Sequence, residues 1–221
     1  FTQSPAPGTI VSGHANIIPV TITVTDDNGN FVECSFNVTL EDNIDPSIVC
    51  NSDVNQTADP DQCQAAVSID PPLTNDNCAV DSIINDFNGS SDASDTYPVG
   101  TTTVTWTVTD IAGNTTSCSF DVIISDDQDP SISCPANLTQ TADNGVCEAL
   151  VNLAVPTTSD NCSVASVVND YNNTDDASDV YPVGTTTVTY TVTDIHGNSS
   201  NFSFDITIAD DRNPDIVCSA D

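Results

Sequence analysis

The sequence predicts an all-β fold of tandem immunoglobulin-like β-sandwich repeats, 84 residues each, strung as an extended beads-on-a-string array. Three observations carry this. Motifs recur at a fixed step without insertion or deletion, apolar residues alternate with Thr and Ser inside them, and turn formers outweigh helix formers. Of 221 residues, 30 are Asp and only three are Glu, with 13 Pro and 9 Gly. Asp and Pro suit turns and strand ends, whereas Glu is the acid that helices favour.

The repeat comes first because it sets the architecture. Asp45-Pro46, Asp129-Pro130 and Asn213-Pro214 are 84 residues apart, as are Cys50, Cys134 and Cys218. Cys34 and Cys118, Cys63 and Cys147, and Cys78 and Cys162 keep the same step, and the segment from Tyr97 to Thr105 returns unchanged at Tyr181 to Thr189. The chain divides into the back half of a repeat at 1–44, full repeats at 45–128 and 129–212, and the start of another at 213–221. A half repeat cannot enclose a core, so the expectation is an excerpt of a longer polymeric chain, with strand exchange between molecules as the alternative.

Within each repeat the strands follow from a period of two. Thr103 to Thr109 places Val104, Trp106 and Val108 on one side and threonines on the other. An Ala112-Gly113-Asn114 turn leads to a second strand with Phe120, Val122 and Ile124 inward. Upstream, Val54 to Thr57 opens the unit, Val67 and Ile69 share a strand, and Val80 to Phe87 forms another. Six or seven short strands separated by turn signals suit a sandwich.

Composition excludes several functions. A net charge of -32 with one Lys or Arg provides no surface for phosphate backbones or anionic membranes. No apolar run reaches the ~20 residues that a spanning helix needs. His14 and His196 differ in context, and no nucleophile elbow, zinc motif or phosphate loop occurs, so no catalysis is expected.

The order Asp-Pro-x-Ile-x-Cys, Asp-Asn-Cys, Tyr-Pro-Val-Gly-Thr-Thr-Thr-Val-Thr, Thr-Asp-x-x-Gly-Asn and Cys-Ser-Phe resembles the hyalin repeat family, an extracellular immunoglobulin-like module. The four-cysteine, Thr- and Asp-rich form is similar to arrays in large surface adhesins of gliding and marine Bacteroidetes, exported by type 9 secretion. The resemblance implies a non-catalytic adhesive or structural stalk on a bacterial cell surface. Its partners would be other repeats of the chain, neighbouring filament chains or surface glycans. The alternative is a glycan-binding module, or spacer repeats of a secreted hydrolase. Residues 1–18 depart from the pattern, with Gly8 to His14 replacing the Tyr-Pro-Val-Gly segment.

Nine cysteines at fixed places imply disulfides and an oxidising compartment. Four per repeat allow three pairings. On an immunoglobulin-like path Cys50, Cys78 and Cys118 fall near one end, with Cys63 nearer the other. The preferred set is Cys50–Cys63, Cys78–Cys118 and Cys134–Cys147, which leaves Cys162 free because Phe202 stands in the place of Cys118. Pairing Cys50 with Cys118 instead makes Cys134 the odd residue.

Acids also recur where repeats meet. Asp42 and Asp45 are followed by Asp126, Asp127 and Asp129, each group beside a Pro that keeps the linker extended. On a sandwich, Asp76-Asn77 and Asp110 should face the first linker, and Asp160-Asn161 and Asp194 the second. Calcium requires six to eight oxygens, and this grouping supplies carboxylates, amides and carbonyls. The competing reading is a solvated acidic face.

Overall fold

The computed structural model describes residues 1–214 and 216; most of the stretch 213–221, including Cys218, lies outside the described residues. Nineteen β-strands and no helix occur among the described residues, as the composition implied.

The half repeat holds β1 (Thr2–Ser4), β2 (Ile17–Thr25) and β3 (Phe31–Thr39). The next repeat holds β4 (Ser47–Val49), β5 (Val54–Thr57), β6 (Gln64–Val67), β7 (Leu73–Asn75), β8 (Val80–Asn85), β9 (Asp95–Pro98), β10 (Gly100–Asp110) and β11 (Thr115–Ser125). The same eight return as β12 (Ser131–Ser133), β13 (Leu138–Thr141), β14 (Glu148–Val151), β15 (Thr157–Ser159), β16 (Val164–Asn169), β17 (Asp179–Pro182), β18 (Gly184–Asp194) and β19 (Ser199–Ala209). Eight strands per repeat exceed the six or seven expected, because three-residue strands such as β4 and β7 are too short to show a period. Val80 to Phe87 also ends sooner, at Asn85, since Phe87 leaves the sheet to stack on Tyr97 at 4.3 Å.

Each full repeat sets a four-stranded sheet against two-stranded ribbons. The sheets run β5-β11-β10-β8 and β13-β19-β18-β16, and the ribbons are β4-β7, β6-β9, β12-β15 and β14-β17. β18 and β19 pair antiparallel from Gly184↔Ile208 to Thr193↔Ser199, while β13 joins the far side of β19 in parallel. The alternation read from sequence decides what is buried. Val104, Trp106 and Val108 on β10 and Phe120, Val122 and Ile124 on β11 all lie in the core. In the last repeat the core joins Ala149 and Val151 to Tyr181, Val188, Tyr190, Phe204, Ile206 and Ile208.

Two buried tyrosines pin the ribbon to the chain before it. Tyr97 donates its hydroxyl to the Ala93 carbonyl at 2.6 Å, and Tyr181 repeats the bond to Ala177. Trp106 Nε1 donates to Asn51 Oδ1 at 3.1 Å, so its one polar atom is satisfied in the core.

Among the described residues the fold comprises two compact units, residues 1–56 with 66–123, and residues 57–65 with those from 124 onward. The segment 57–65 belongs by sequence to repeat 45–128 but folds with the second unit. A disulfide accounts for this, and it corrects the expected pairing. Cys63 is bonded to Cys162, not to Cys50, and Cys50 is bonded to Cys118. Cys162 is therefore not free. Cys34, Cys78, Cys134 and Cys147 are the free cysteines among the described residues, so the expected Cys78–Cys118 and Cys134–Cys147 bonds are also replaced. The physical reason is direction: Cys63 sits on a turn that meets the Asp-Asn-Cys loop of the following repeat instead of turning back to its own.

Candidate metal centre

Three aspartates from separate parts of the sequence converge in each unit. In the first they are Asp42, Asp76 and Asp110, and in the second Asp126, Asp160 and Asp194; within each triad one carboxylate oxygen per residue lies within 4.8 Å of the others.

Local backbone geometry aims these oxygens. Asp110 opens the turn after β10, where Gly113 has φ +93°, a conformation that disfavours other residues. Its Oδ1 accepts from the backbone N–H groups of Ala112 and Asn114, each at 2.8 Å, and its Oδ2 from Asn114 Nδ2 at 2.7 Å. Asn114 Nδ2 also reaches the carbonyl of Asp42 at 3.2 Å, which ties the turn to the junction segment. Asp76 Oδ2 accepts from the N–H groups of Cys78 and Ala79 at 2.7 and 3.0 Å. Asp42 Oδ1 accepts from Ile44 N–H and Asn77 Nδ2, both at 3.1 Å.

The other oxygens remain. Asp42 Oδ2 and Asp76 Oδ1 are buried with no hydrogen-bond partner, and Asp42 as a whole is only 8% exposed. In the second triad Asp160 Oδ1 and the neighbouring Asn161 Oδ1 are in the same condition. A buried acceptor without a donor costs about 1–3 kcal/mol, and more when charged. Close carboxylates add repulsion.

Hydrogen bonding favours the anionic form of Asp42, Asp110 and Asp194. Hydrogen bonds from Asn77 and Ile44 N–H, with the Cys78 thiol nearby, hold the Asp42 carboxyl below its ordinary value. Burial pushes Asp110 and Asp194 up, but the bonds from Asn114 and Asn198 and from their turn backbones outweigh it, and both end lowered. The neighbouring Asp42 carboxylate acts oppositely on the thiol and raises Cys78, with burial adding to the shift.

The donor set is fit for a hard cation. It is all oxygen, and the mutual spacing suits an ion held at about 2.3–2.6 Å from each ligand. Cys162 also lies near Asp126 and His196, but its sulfur is bonded to Cys63 and offers no thiolate to a soft metal.

Of the residues the sequence nominated, the structure brings together Asp42, Asp76 and Asp110, with Asn77 against Asp42, and likewise Asp126, Asp160 and Asp194, with Asn161 against Asp126 at 3.0 Å. It leaves Asp45, Asp127 and Asp129 exposed and outside the triads. Those three flank the prolines, and an extended linker turns alternate side chains outward.

Both histidines belong to the surroundings of the triads. His14 Nδ1 accepts from Asp42 N–H at 3.3 Å, and His196 Nδ1 lies 3.1 Å from Asp126 Oδ2. Asp126 Oδ2 is the counterpart of the unpartnered Asp42 Oδ2. No sequence signal marked this, because Ala112 takes the place of His196 one repeat earlier.

A family model described as the HYR domain matches residues 41–124 and 125–208. Hyalin of Strongylocentrotus purpuratus is 33% identical over 205 residues, covering 90% of this chain and 16% of that protein. Hyalin of Lytechinus variegatus is 30% identical over 205 residues, covering 90% of this chain and 38% of that protein. The chain thus spans well under half the length of either relative. Among solved structures, human CDH23 EC21-23 overlaps 86% of this chain and 74% of its own at a TM-score of 0.38 and 14% identity. With two adjoining matches that take up most of its length, the chain belongs to the HYR domain family.

Proposed function

We propose that this segment is a non-catalytic adhesive repeat array of a large extracellular protein, in which calcium fixes each repeat junction to the repeat that follows it. The observation that carries the reading is Asp42, whose Oδ2 is buried and unpartnered and whose carboxylate lies within 4.8 Å of those of Asp76 and Asp110. One divalent ion would satisfy it and offset the repulsion in the triad. Asp42 comes from the junction, Asp76 from a loop and Asp110 from a turn, so the ion would clamp three otherwise separate segments.

The adhesive part of the reading draws on the family and on hyalin as relatives. Trp106 and Tyr190 lie wholly in the core and form no exposed aromatic platform for a glycan, which favours a stalk over a glycan-binding module. Placement on a bacterial surface, as a stalk of the type 9-secreted adhesin kind, is the finer proposal and rests on motif resemblance.

The test is calcium titration of the EDTA-treated chain by calorimetry, paired with thermal unfolding. Two sites are expected, and at a hundredfold excess over Kd the midpoint should rise by roughly 5–10 °C. No binding heat and an unchanged midpoint would overturn the calcium clamp.

A further inference from the structure

The second aspartate triad is built beside a disulfide. Asp160, Asn161 and Cys162 are consecutive, and Cys162 is bonded to Cys63. The N–H groups of Cys162 and Ser163 donate to Asp160 Oδ2 at 2.8 and 2.9 Å, so the placing of Cys162 sets where that carboxylate stands. Asn161 Nδ2 divides its donation between the Gln62 carbonyl and Asp126 Oδ1, each at 3.0 Å. Gln62 precedes Cys63 in the chain. One amide therefore joins the turn that carries Cys63 to the junction carboxylate of the triad.

The same turn forms part of the surroundings of the triad. Thr57 to Pro60 line a cavity together with Asp126 and Asn161, and Asp61 lines another with Asp160 and Asn161. Asp61 N–H donates to Gln128 Oε1 at 3.1 Å, and Gln128 N–H donates to Asp126 Oδ1 at 3.2 Å. Asp61 itself has φ +60°, a left-handed conformation that costs a residue with a side chain, so the turn relaxes once nothing closes it. With Asn161 Nδ2 committed on both sides, Asn161 Oδ1 is buried without a donor, as is Asp160 Oδ1. The oxygens left over for an ion thus belong to the two residues next to the disulfide.

We propose that the Cys63–Cys162 disulfide is the positioning element of the second cation site, so that the redox state of this bond sets the affinity of the site for a divalent cation. The inference rests on the calcium reading above and adds its regulation. In the oxidised chain Gln62 holds the Asn161 amide against Asp126, and Cys162 N–H fixes Asp160. Both cysteines are half-buried, within reach of a small thiol. Two such thiols reduce the bond: two electrons and two protons pass to Cys63 and Cys162, which become thiols, and the reductant leaves as a disulfide. The turn is then free to leave Asn161, and the oxygens no longer converge before an ion arrives. Linkage makes the effect reciprocal, since whatever factor the bond adds to cation affinity, the cation adds to the stability of the bond.

The whole chain is used for the test. Calcium calorimetry compares the oxidised chain with C63S/C162S. The second site should weaken by at least about tenfold, while the first, at Asp42, Asp76 and Asp110, should change by no more than about twofold. In parallel, the unsubstituted chain is equilibrated in glutathione redox buffers with millimolar calcium or with EDTA, alkylated and mapped. Calcium should shift the Cys63–Cys162 equilibrium toward the disulfide by the same factor, and D194N should abolish that shift. This second measurement needs no cysteine variant, so it decides the matter even where C63S/C162S does not fold. Equal second-site affinity in both chains, or an equilibrium indifferent to calcium in a chain that binds it, would overturn the coupling and leave the calcium reading intact. Absence of binding to the oxidised chain would overturn both.

Discussion

Cys63 and Cys162 are 99 residues apart in the sequence and 4.6 Å apart at Cα, joined through their sulfurs. The bond holds the turn before β6 to the Asp-Asn-Cys loop that also supplies Asp160. Closing so long a loop restricts the unfolded chain by about 4–5 kcal/mol in the entropic limit. C63S and C162S should each lower stability by a large part of that amount. The double variant should resemble either single one, as measured by denaturant unfolding.

Replacing Asp42 by Asn should cost far more stability with calcium than without it. The remaining Oδ1 keeps the bonds from Ile44 and Asn77, while the new amide donates into the triad in place of an unpartnered anionic oxygen. In EDTA the variant should lose only a little stability, because the bonds that hold the Asp42 carboxyl below its ordinary value favour the anion that it removes. In millimolar calcium it should lose most of the stabilisation of the first site. Paired melts read both effects.

The two triads should differ in affinity. His196 engages Asp126 Oδ2, while the corresponding oxygen of Asp42 has no partner. A cation must displace that contact in the second triad only. H196A should tighten calcium at the second site by roughly 3–10-fold, the worth of one ordinary hydrogen bond. Calorimetry on parent and variant separates the two sites.

Burial pushes the Tyr97 hydroxyl up to about 12, with Asp95 and Asp86 adding to the shift. A group whose folded value is raised contributes stability that is complete below its unfolded value near 10 and is lost as pH rises through the folded value. Melting temperature should therefore hold to about pH 10 and fall toward pH 12. Absorbance at the phenolate band should show Tyr97 titrating late, and Y97F should unfold about 1–2 kcal/mol more easily at neutral pH by leaving the Ala93 carbonyl unpaired.

Period-two strands were legible because one residue in two must face the core: Val104, Trp106 and Val108 show it with no help from tertiary context. The triad aspartates were legible through recurrence, since Asp42, Asp76 and Asp110 return as Asp126, Asp160 and Asp194. Recurrence alone did not distinguish Asp126 from Asp127, because the direction of a linker side chain depends on the hydrogen bonds that Gln128 N–H and Asn161 make to Asp126. Disulfide pairing was the least legible. Spacing marks which cysteines are equivalent, but not whether a turn meets its own repeat or the next.

The Cys63–Cys162 bond also sets a load path. If the chain is pulled by its ends, tension passes from residue 63 to residue 162 through one disulfide, and residues 64–161 carry none of it even if they unfold. Roughly 330 Å of contour is thereby kept in reserve, at about 3.4 Å per extended residue. Reduction of that bond alone releases only about 105 Å of it, because tension then passes through Cys50–Cys118 and the backbone from Cys118 to Cys162, a path about 31 residues longer.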